Sequence, residues 1–475
     1  MGKFRRLFLA SLAAALLLVL PHLSAQQPQP RLIIKNAYIF TMASQQHNPF
    51  HGYLVVGVDG KLLAVAAGDP PATLHAATAW DAAGGWIIPG FISAHSHLWQ
   101  SAYRGLASNQ TLLGWIDVLY GKAVSRATPE DLYWFTLDGA LDHLQHGITS
   151  TYNFNYGGNS SGQKLEFSQQ QFRAEMVSGL RFVHGIDPGK IDAGKSSATF
   201  TPAIARQQLK TFLDWTAAQH AGPRFLSVMI NGGTAFNDTY QQAVMEAGLM
   251  KEFHLANQSH YLEQPETQVL DRERFHWFTD SGLLTNQLIF GHFIHTDPQI
   301  LAQTGKAGAA MSWNPLSNGR LASGTADIPA YLKAGIRVGM GVDGEASADL
   351  ADPFENLRTG LYAIRAKYEN AGVMSPYDVL RLHTMGSADV LNLADRLGSL
   401  EAGKLADFLV IDPTGYGHVF DPYATLVFVT SQQDLERVYV GGELMVERGK
   451  LLHQDRTHVQ AEAARRVAER NGVKE

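Results

Sequence analysis

The tripeptide His95-Ser96-His97 has the residue types that bind a transition metal, and it follows the apolar run 86–94. The run predicts a buried strand, and side chains two residues apart on a strand point to the same side. Two imidazoles placed in this way can bind one divalent metal ion. With 19 histidines in 475 residues, roughly one His-x-His pair is expected by chance, so the pair needs support from the rest of the chain.

Further polar residues follow later apolar runs. Each has a structural interpretation on its own, because a lone histidine beside apolar residues is usually a hydrogen-bonded core residue, and a His-x-x-Glu pair can lie on the surface. Their joint position at the ends of predicted strands favours one shared site. These residues are His260 and Glu263 after the run 255–259, His292 after 288–291, and Asp343 after 338–342.

Eight apolar runs that alternate with helical stretches predict the fold that positions these residues. Between residues 89 and 395 they indicate an α/β fold, a (β/α)8 TIM barrel, whose active site lies at the carboxyl ends of the strands. The polar residues above stand at that end. The predicted strands are the run ending at 94 and the runs 149–152, 180–184, 225–230, 255–259, 288–291, 309–312 and 338–342.

Short β-like runs at both ends of the chain predict a second, smaller unit. Segments 26–88 and 396–450 contain them, and Asp59-Gly60 is typical of a hairpin turn. Because the two segments flank the barrel, we expect them to pair into one small β-sandwich domain. Residues 451–475 predict a C-terminal helix.

The first 25 residues have the pattern of a secretory signal peptide. Lys3, Arg5 and Arg6 precede the apolar stretch 7–20, and a small-residue pair ends at Ala25. The arginine pair also resembles a twin-arginine export signal, so both export routes stay open. We therefore expect an exported protein, periplasmic or secreted, with no stable membrane anchor once the segment is removed.

Composition narrows the chemistry. The chain has no cysteine, so a metal must be bound by histidine and carboxylate side chains. Its formal net charge is −6 and no basic stripe is present, which argues against a nucleic acid partner. The expected partner is a small-molecule substrate, and a homo-oligomer stays open.

Three motifs resemble the amidohydrolase superfamily, and within it the group of cytosine, guanine and adenosine-type deaminases and triazine chlorohydrolases. The resemblance covers nearly the whole chain after the first 25 residues. The motifs are PGFISAHSH at 89–97, NPLSN at 314–318 with LASG at 321–324, and LGSLEAGKLAD at 397–407.

The resemblance implies that His95, His97, His260 and Asp343 bind one divalent metal ion, zinc or else iron. A metal bound by imidazoles and a carboxylate lowers the pKa of a bound water toward 7. Related subgroups bind two metals through a lysine or glutamate on the fourth strand. Segment 225–237 has neither residue, which favours a single metal.

The resemblance also implies catalytic roles for three residues. Asp343 would accept the proton of the attacking water, and Glu263 would protonate a ring nitrogen and pass a proton to the leaving group. His292 would hydrogen-bond the water or the developing charge.

Substrate contacts are expected from the segment after the metal pair, where Trp99, Gln100 and Arg104 are candidates. Arg104 has an equal alternative as the ion-pair partner of an acidic neighbour, and Trp99 either stacks on a ring or closes the barrel mouth. Asn314 and Asn318 are expected to brace the seventh-strand loop.

The leading hypothesis is therefore an exported, metal-dependent hydrolase of non-peptide C–N bonds. Its reaction would be deamination of an amino-substituted heterocycle such as a purine, pyrimidine or triazine. Hydrolysis of a cyclic or linear amide on the same mononuclear site is the alternative. A non-catalytic binding protein of the same fold is a third reading, disfavoured because every expected ligand is present.

Overall fold

The structure is a computed structural model that describes residues 29–158, 164–191 and 200–472. The predicted signal peptide, 1–25, lies outside the described residues. Within those residues, no helix combines the length and the apolar character that a membrane crossing requires.

The N-terminal strands form one half of a small sheet. β1 carries a bulge between Ile34 and Ala37 and continues past it as one strand. The strands are β1 Pro30–Ile39, β2 Phe50–Gly57, β3 Leu62–Ala67, β4 Thr78–Asp81 and β5 Trp86–Pro89.

The central strands form a parallel barrel, which confirms the predicted fold. They pair in chain order, and the eighth strand is interrupted after Met340 and resumes at Asp343. Asp343 pairs with Ser96 and Gly344 with His97, which closes the sheet against its first strand. The strands are β6 Phe91–His97, β7 Ile148–Asn153, β8 Arg181–Ile186, β9 Phe225–Gly232, β10 Asn257–Tyr261, β11 Leu288–His292, β12 Ala310–Trp313, β13 Arg337–Met340 and β14 Asp343–Gly344.

The C-terminal strands complete the small sheet, as predicted. β15 Phe408–Ile411, β16 Leu435–Val440, β17 Glu443–Glu447 and β18 Lys450–Leu451 are antiparallel neighbours, and β15 pairs with β5. Eight of the nine strands follow one continuous pairing path, and β4 lies off it and pairs with β1. Residues of both terminal segments share one apolar core. The buried ion pair between Arg181 and Asp407 joins this sheet to the barrel, with Nε 2.7 Å from Oδ2.

Fifteen α-helices lie within the described residues. The side chain of Thr128 caps α2 by accepting from the Asp131 N–H. Pro129, the first residue of this helix, has no N–H that would need a partner. The predicted C-terminal helix is α15. The helices are α1 Leu112–Val118, α2 Pro129–Gln145, α3 Lys164–Ser178, α4 Pro202–Ala218, α5 Tyr240–Phe253, α6 Gln268–Arg274, α7 His276–Asp280, α8 Pro298–Ala307, α9 Pro315–Arg320, α10 Ile328–Lys333, α11 Pro353–Tyr368, α12 Pro376–Arg381, α13 Ser387–Val390, α14 Pro422–Phe428 and α15 Arg456–Asn471.

The run 86–94 is two strands, not the single buried strand that its composition predicted. The chain leaves the small sheet after Pro89 and enters the barrel at Phe91. Gly90 is the junction, because a Cβ there would lie 2.1 Å from Thr149 Oγ1. The boundary between the units therefore lies at this glycine, next to the predicted 88/89 division.

Candidate metal centre

The candidate histidines lie within the carboxyl-terminal parts of barrel strands rather than after them, and Asp343 begins β14. His95 and His97 lie within β6, His260 within β10, and His292 ends β11. The backbone of His292 has φ 65° and that of Asp343 has φ 61°, a left-handed conformation that is costly for non-glycine residues. Such local strain is common where a side chain is held for function.

Four of these side chains converge on one point at the barrel mouth. Nε2 of His95 and Nε2 of His97 each lie 3.3 Å from Asp343 Oδ1. Nε2 of His97 lies 3.2 Å from Nε2 of His260. His95 also groups with His260 and His292, their ligand atoms all within 4.8 Å of one another.

The hydrogen bonds behind the imidazoles decide which nitrogen faces the centre. His95 Nδ1 donates to the Gln258 side-chain oxygen, and His97 Nδ1 donates to the Phe154 carbonyl at 3.0 Å. Both Nε2 atoms therefore carry lone pairs. His95 Nε2 is buried and makes no well-formed hydrogen bond to any described residue. Converging lone pairs beside a carboxylate fit a divalent metal ion, whereas they would repel each other without one.

A metal ion binds neutral imidazoles, and burial keeps the rings of His97 and His260 neutral. Burial, aided by the neighbouring His95, lowers the pKa of His97 to about 4. The pKa of His260 falls well below its usual range for the same reasons. Burial alone would raise the pKa of Asp343, but contact with His95 and the surrounding imidazoles outweighs it and holds the carboxyl ionised.

His292 stands beside the centre between two side-chain amides. The Asn318 amide nitrogen lies 2.8 Å from its Nδ1, the shorter of the two contacts, which favours the imidazole proton on Nε2, 3.8 Å from Asp343 Oδ2. Burial lowers the pKa of His292 to about 3, so the imidazole is neutral. The two asparagines therefore do more than brace their loop, since Asn314 also contacts this ring at 3.4 Å.

Glu263 completes the cluster with the opposite protonation state from Asp343. Its Oε1 lies 3.6 Å from His292 Nδ1. Burial, and then the charge of Asp343, raise the pKa of the Glu263 carboxyl well above its usual range. One cavity thus holds two carboxyl groups whose pKa values are shifted in opposite directions, the pairing that acid–base catalysis uses.

A cavity of about 570 Å³ opens above these residues, a size typical of small-molecule sites. His97, His260, Glu263, His292 and Asp343 line its floor. Aromatic and apolar side chains form most of the wall, with a few polar groups among them. The wall residues include Leu112, Trp115, Ile116, Tyr120, Phe154, Tyr156, Phe200, Phe236 and Leu321, and the polar ones Asn155, Asp187, Lys190, Asn231 and Ser347.

The predicted substrate contacts Trp99, Gln100 and Arg104 are not among the residues that line this cavity. Arg104 pairs with buried carboxylates, the alternative that its sequence left open. The Trp99 ring packs behind Tyr120, 5.5 Å between centroids. The buried Gln100 amide packs against Gly344, where an added Cβ would lie 1.9 Å from Gln100 Oε1.

Most of the cavity wall, and the side chain that orients His95, were not predicted from the sequence. Gln258 lies two residues before His260 on β10, so it points to the same side of the strand. That spacing was a usable signal. The wall from α1 and the segment after it gave no signal, because apolar helical residues do not show which cavity they face.

Comparison with known proteins agrees with this geometry. A 5-methylthioadenosine/S-adenosylhomocysteine deaminase of Bacillus thuringiensis (strain Al Hakam) is 26% identical over 434 residues, which cover 90% of this chain and 97% of the relative. The structure of an adenosine deaminase from Xanthomonas campestris with bound zinc superposes with a TM-score of 0.81 at 21% identity, covering 94% of this chain and all of that one.

A zinc complex of atrazine chlorohydrolase from Arthrobacter aurescens TC1 superposes with a TM-score of 0.79 at 22% identity, covering 92% of this chain and all of that one. The sequence pattern of the amidohydrolase family matches residues 86–445, most of the chain. The chain therefore belongs to the amidohydrolase family and is a hydrolase that acts on carbon–nitrogen bonds other than peptide bonds.

Proposed function

We propose that this enzyme is a zinc-dependent deaminase of an adenine-type nucleoside. It would replace the exocyclic amino group of the ring with oxygen from water and release ammonia. The relatives that match 90% of the chain are named for deamination of 5-methylthioadenosine and S-adenosylhomocysteine, which supports a substituted adenosine as the substrate class. The cavity of about 570 Å³ has room for a nucleoside-sized ligand.

The observation that carries the proposal is that Glu263 and Asp343 share one cavity with their pKa values shifted in opposite directions. Burial raises the pKa of Glu263 and favours its protonated form, whereas the imidazoles around Asp343 lower its pKa and favour the carboxylate. Ring deamination needs both a proton donor for a ring nitrogen and a base for the attacking water.

The residues divide the reaction between them. His95, His97, His260 and Asp343 would hold the zinc ion, which when bound lowers the pKa of water and so supplies the nucleophile at neutral pH. Asp343 accepts the proton of the attacking water. Glu263 donates its proton to the ring nitrogen next to the attacked carbon.

The remaining steps restore the starting protonation states of the two carboxyl groups. The Nε2–H of His292 faces the Asp343 carboxylate and can donate to the oxygen that enters. The proton that Asp343 took from the water passes to the amino group as the C–N bond breaks, and the second proton of the water restores the Glu263 carboxyl. Ammonia leaves, and the ring keeps the new oxygen and the proton from Glu263. The aromatic wall excludes bulk water from these transfers.

The test is ammonia release from a panel of substrates by the zinc-loaded protein. Adenosine, 5-methylthioadenosine and S-adenosylhomocysteine are compared with guanine, cytosine, a triazine and N-acyl amides. Turnover of the adenine nucleosides supports the proposal. Turnover of an amide with no ammonia from any heterocycle would show the alternative amide hydrolase.

Two variants test the assigned roles. His260→Ala is expected to lose bound zinc, because it removes one of three imidazole donors. Glu263→Gln is expected to bind zinc normally and to lose turnover by at least about 100-fold, the usual contribution of a general acid. Equal zinc loss in both variants would refute the division of roles.

We also propose that the enzyme is exported, to the periplasm or outside the cell. The charge and apolar pattern of residues 1–25 supports this. Cell fractionation of the full chain tests it, with removal of residues 2–25 as the control. Replacing Arg5 and Arg6 by lysine should block export only if the twin-arginine route is used.

A further inference from the structure

A cluster of buried charges lies behind the metal centre and draws on three distant parts of the chain. Asp138 and Asp142 come from α2, Glu345 from the loop after β14, Arg104 from the segment after the metal pair, and Arg456 from α15. The three carboxylate side chains are at most 5% exposed. Charges this deep are tolerated only when each is closely paired.

Arg104 alone contacts all three carboxylates. Its Nη1 lies 3.3 Å from Asp138 Oδ2, and its Nη2 lies 3.4 Å from Asp142 Oδ2 and also contacts Glu345 Oε2. A single guanidinium cannot neutralise three buried carboxylates, so the cluster needs a second cation.

Arg456 supplies that cation from the C-terminal helix. Its Nε lies 3.5 Å from Asp138 Oδ1, and its Nη2 contacts Asp142 Oδ1. These are the carboxylate oxygens that Arg104 does not occupy. Each aspartate therefore pairs with both arginines, and Arg104 Nη2 also pairs with Glu345.

The cluster reaches the metal centre from two sides. Glu345 lies two residues after Asp343, so its position constrains the loop that carries this predicted ligand. Glu345 Oε1 also lies 3.8 Å from His143 Nδ1, and His143 Nε2 lies 3.0 Å from Ser96 Oγ. Ser96 stands between the two predicted histidine ligands.

We propose that Arg456 is a positioning residue for the metal centre. Because Arg456 also pairs with Asp138 and Asp142, Arg104 stays in contact with Glu345. This contact holds the loop that carries Asp343 in place. Its helix lies outside residues 86–445, the part that matches the family pattern. The inference rests on the proposed metal dependence and assigns to the C-terminal helix a part in it.

Loss of Arg456 would leave one guanidinium among three carboxylates. The two aspartates of α2 would then draw Arg104 toward them, and Glu345 would become a buried charge without a partner. An unpaired buried charge is strongly unfavourable, so the loop would move until water reaches it. Asp343 would move with the loop, and zinc would bind less tightly.

The test compares Arg456→Met with Arg466→Met in the full chain. Arg466 is the matched control, because it joins the same two helices through Asp131 at 2.9 Å and Glu130 at 2.7 Å, away from the cluster. Zinc affinity is measured by competition with a chelating dye. The absorption spectrum of the cobalt-substituted protein reports the geometry of the ligands.

Arg456→Met is expected to weaken zinc binding at least about 10-fold and to change the cobalt spectrum, as loss of outer support for metal ligands does. Arg466→Met is expected to keep the wild-type zinc affinity and spectrum, whatever thermal stability it loses. Wild-type zinc binding in Arg456→Met would overturn the proposal, and so would equal weakening in both variants.

A double variant keeps the proposal testable if Arg456→Met alone does not fold. Adding Glu345→Gln removes the charge that loses its partner, so zinc affinity should return to within about 3-fold of Glu345→Gln alone. Independent losses from the two substitutions would contradict the coupling. Because no substrate is used, a wrong substrate assignment would leave these results unchanged.

Discussion

Gln258 orients the first metal histidine, and its replacement by leucine is the most direct test of the site geometry. Its side-chain oxygen accepts from His95 Nδ1, and its Nε2 donates to the Ala94 carbonyl at 2.8 Å. Both contacts are fully buried. Leucine has a similar volume, so Gln258→Leu removes two hydrogen bonds without opening a large cavity.

The expected loss follows from the two groups left unpaired. A buried polar group without a partner costs about 1–3 kcal/mol, so the metal-free protein should lose at least about 2 kcal/mol of unfolding free energy. Zinc binding should suffer separately, because the His95 ring is free to turn and its nitrogen is a weaker donor. Loss of such an outer partner weakens metal affinity about 10- to 100-fold, or about 1.4 to 2.8 kcal/mol.

Competition with a chelating dye measures the zinc affinity, and urea unfolding of the metal-free protein measures stability. Gln258→Glu is the matched control, since it keeps an oxygen acceptor for His95 and replaces the donor to Ala94 by a second oxygen that faces the Ala94 carbonyl. It should bind zinc at least as tightly as the wild type while sharing part of the stability loss. A leucine variant with zinc affinity within 2-fold of the wild type would refute this account of the centre.

Three further changes have defined outcomes. Gly341→Ala would place a Cβ 2.6 Å from the His95 carbonyl oxygen; the required shift of the His95 backbone should lower turnover about 100-fold, measured with zinc in excess. Asp407→Asn breaks the buried ion pair with Arg181 that joins the two units. Urea unfolding should show that the unfolding free energy falls by about 3–5 kcal/mol. A decrease below about 1 kcal/mol would show that the pair contributes little to stability. Burial lowers the pKa of His383 from 6.5 to about 4. As the pH falls, the unfolded chain therefore binds a proton at His383 before the folded chain does, and the unfolding free energy should decrease by about 3 kcal/mol between pH about 6.5 and about 4. The urea midpoint of a His383→Gln variant should depend less on pH over that range.

The sequence predicted the part of the site that depends on short-range pattern. A strand that ends in polar residues is visible in a window of ten residues, and parallel strands of a barrel bring such ends together. His95, His97, His260 and Asp343 could therefore be placed at one mouth without any coordinates. The break at Gly90 could not, because an unbroken apolar run does not show that one strand faces two different sheets.

The position of the predicted substrate contacts depends on long-range packing. Trp99, Gln100 and Arg104 follow the metal pair directly, but they lie on or just after a short 3-10 turn, Leu98–Tyr103, whose direction depends on what packs against it. The carboxylates that bind Arg104 come from α2 and from the loop after β14, 34 to 241 residues away along the chain. Proximity in sequence to the metal pair therefore could not show which way these side chains face.

Some side chains that line the cavity also contact the loop that carries Asp343. Trp115 lines the cavity, and its Nε1 donates to the Ala346 carbonyl at 2.8 Å, three residues after Asp343. Tyr120 also lines the cavity, and burial raises the pKa of its phenol above the usual range, so it is a neutral donor. A substitution at Trp115 would thus alter both the shape of the pocket and the loop that carries Asp343. Tyr120 is connected to the same loop through Gln100, which contacts its phenol and packs against Gly344.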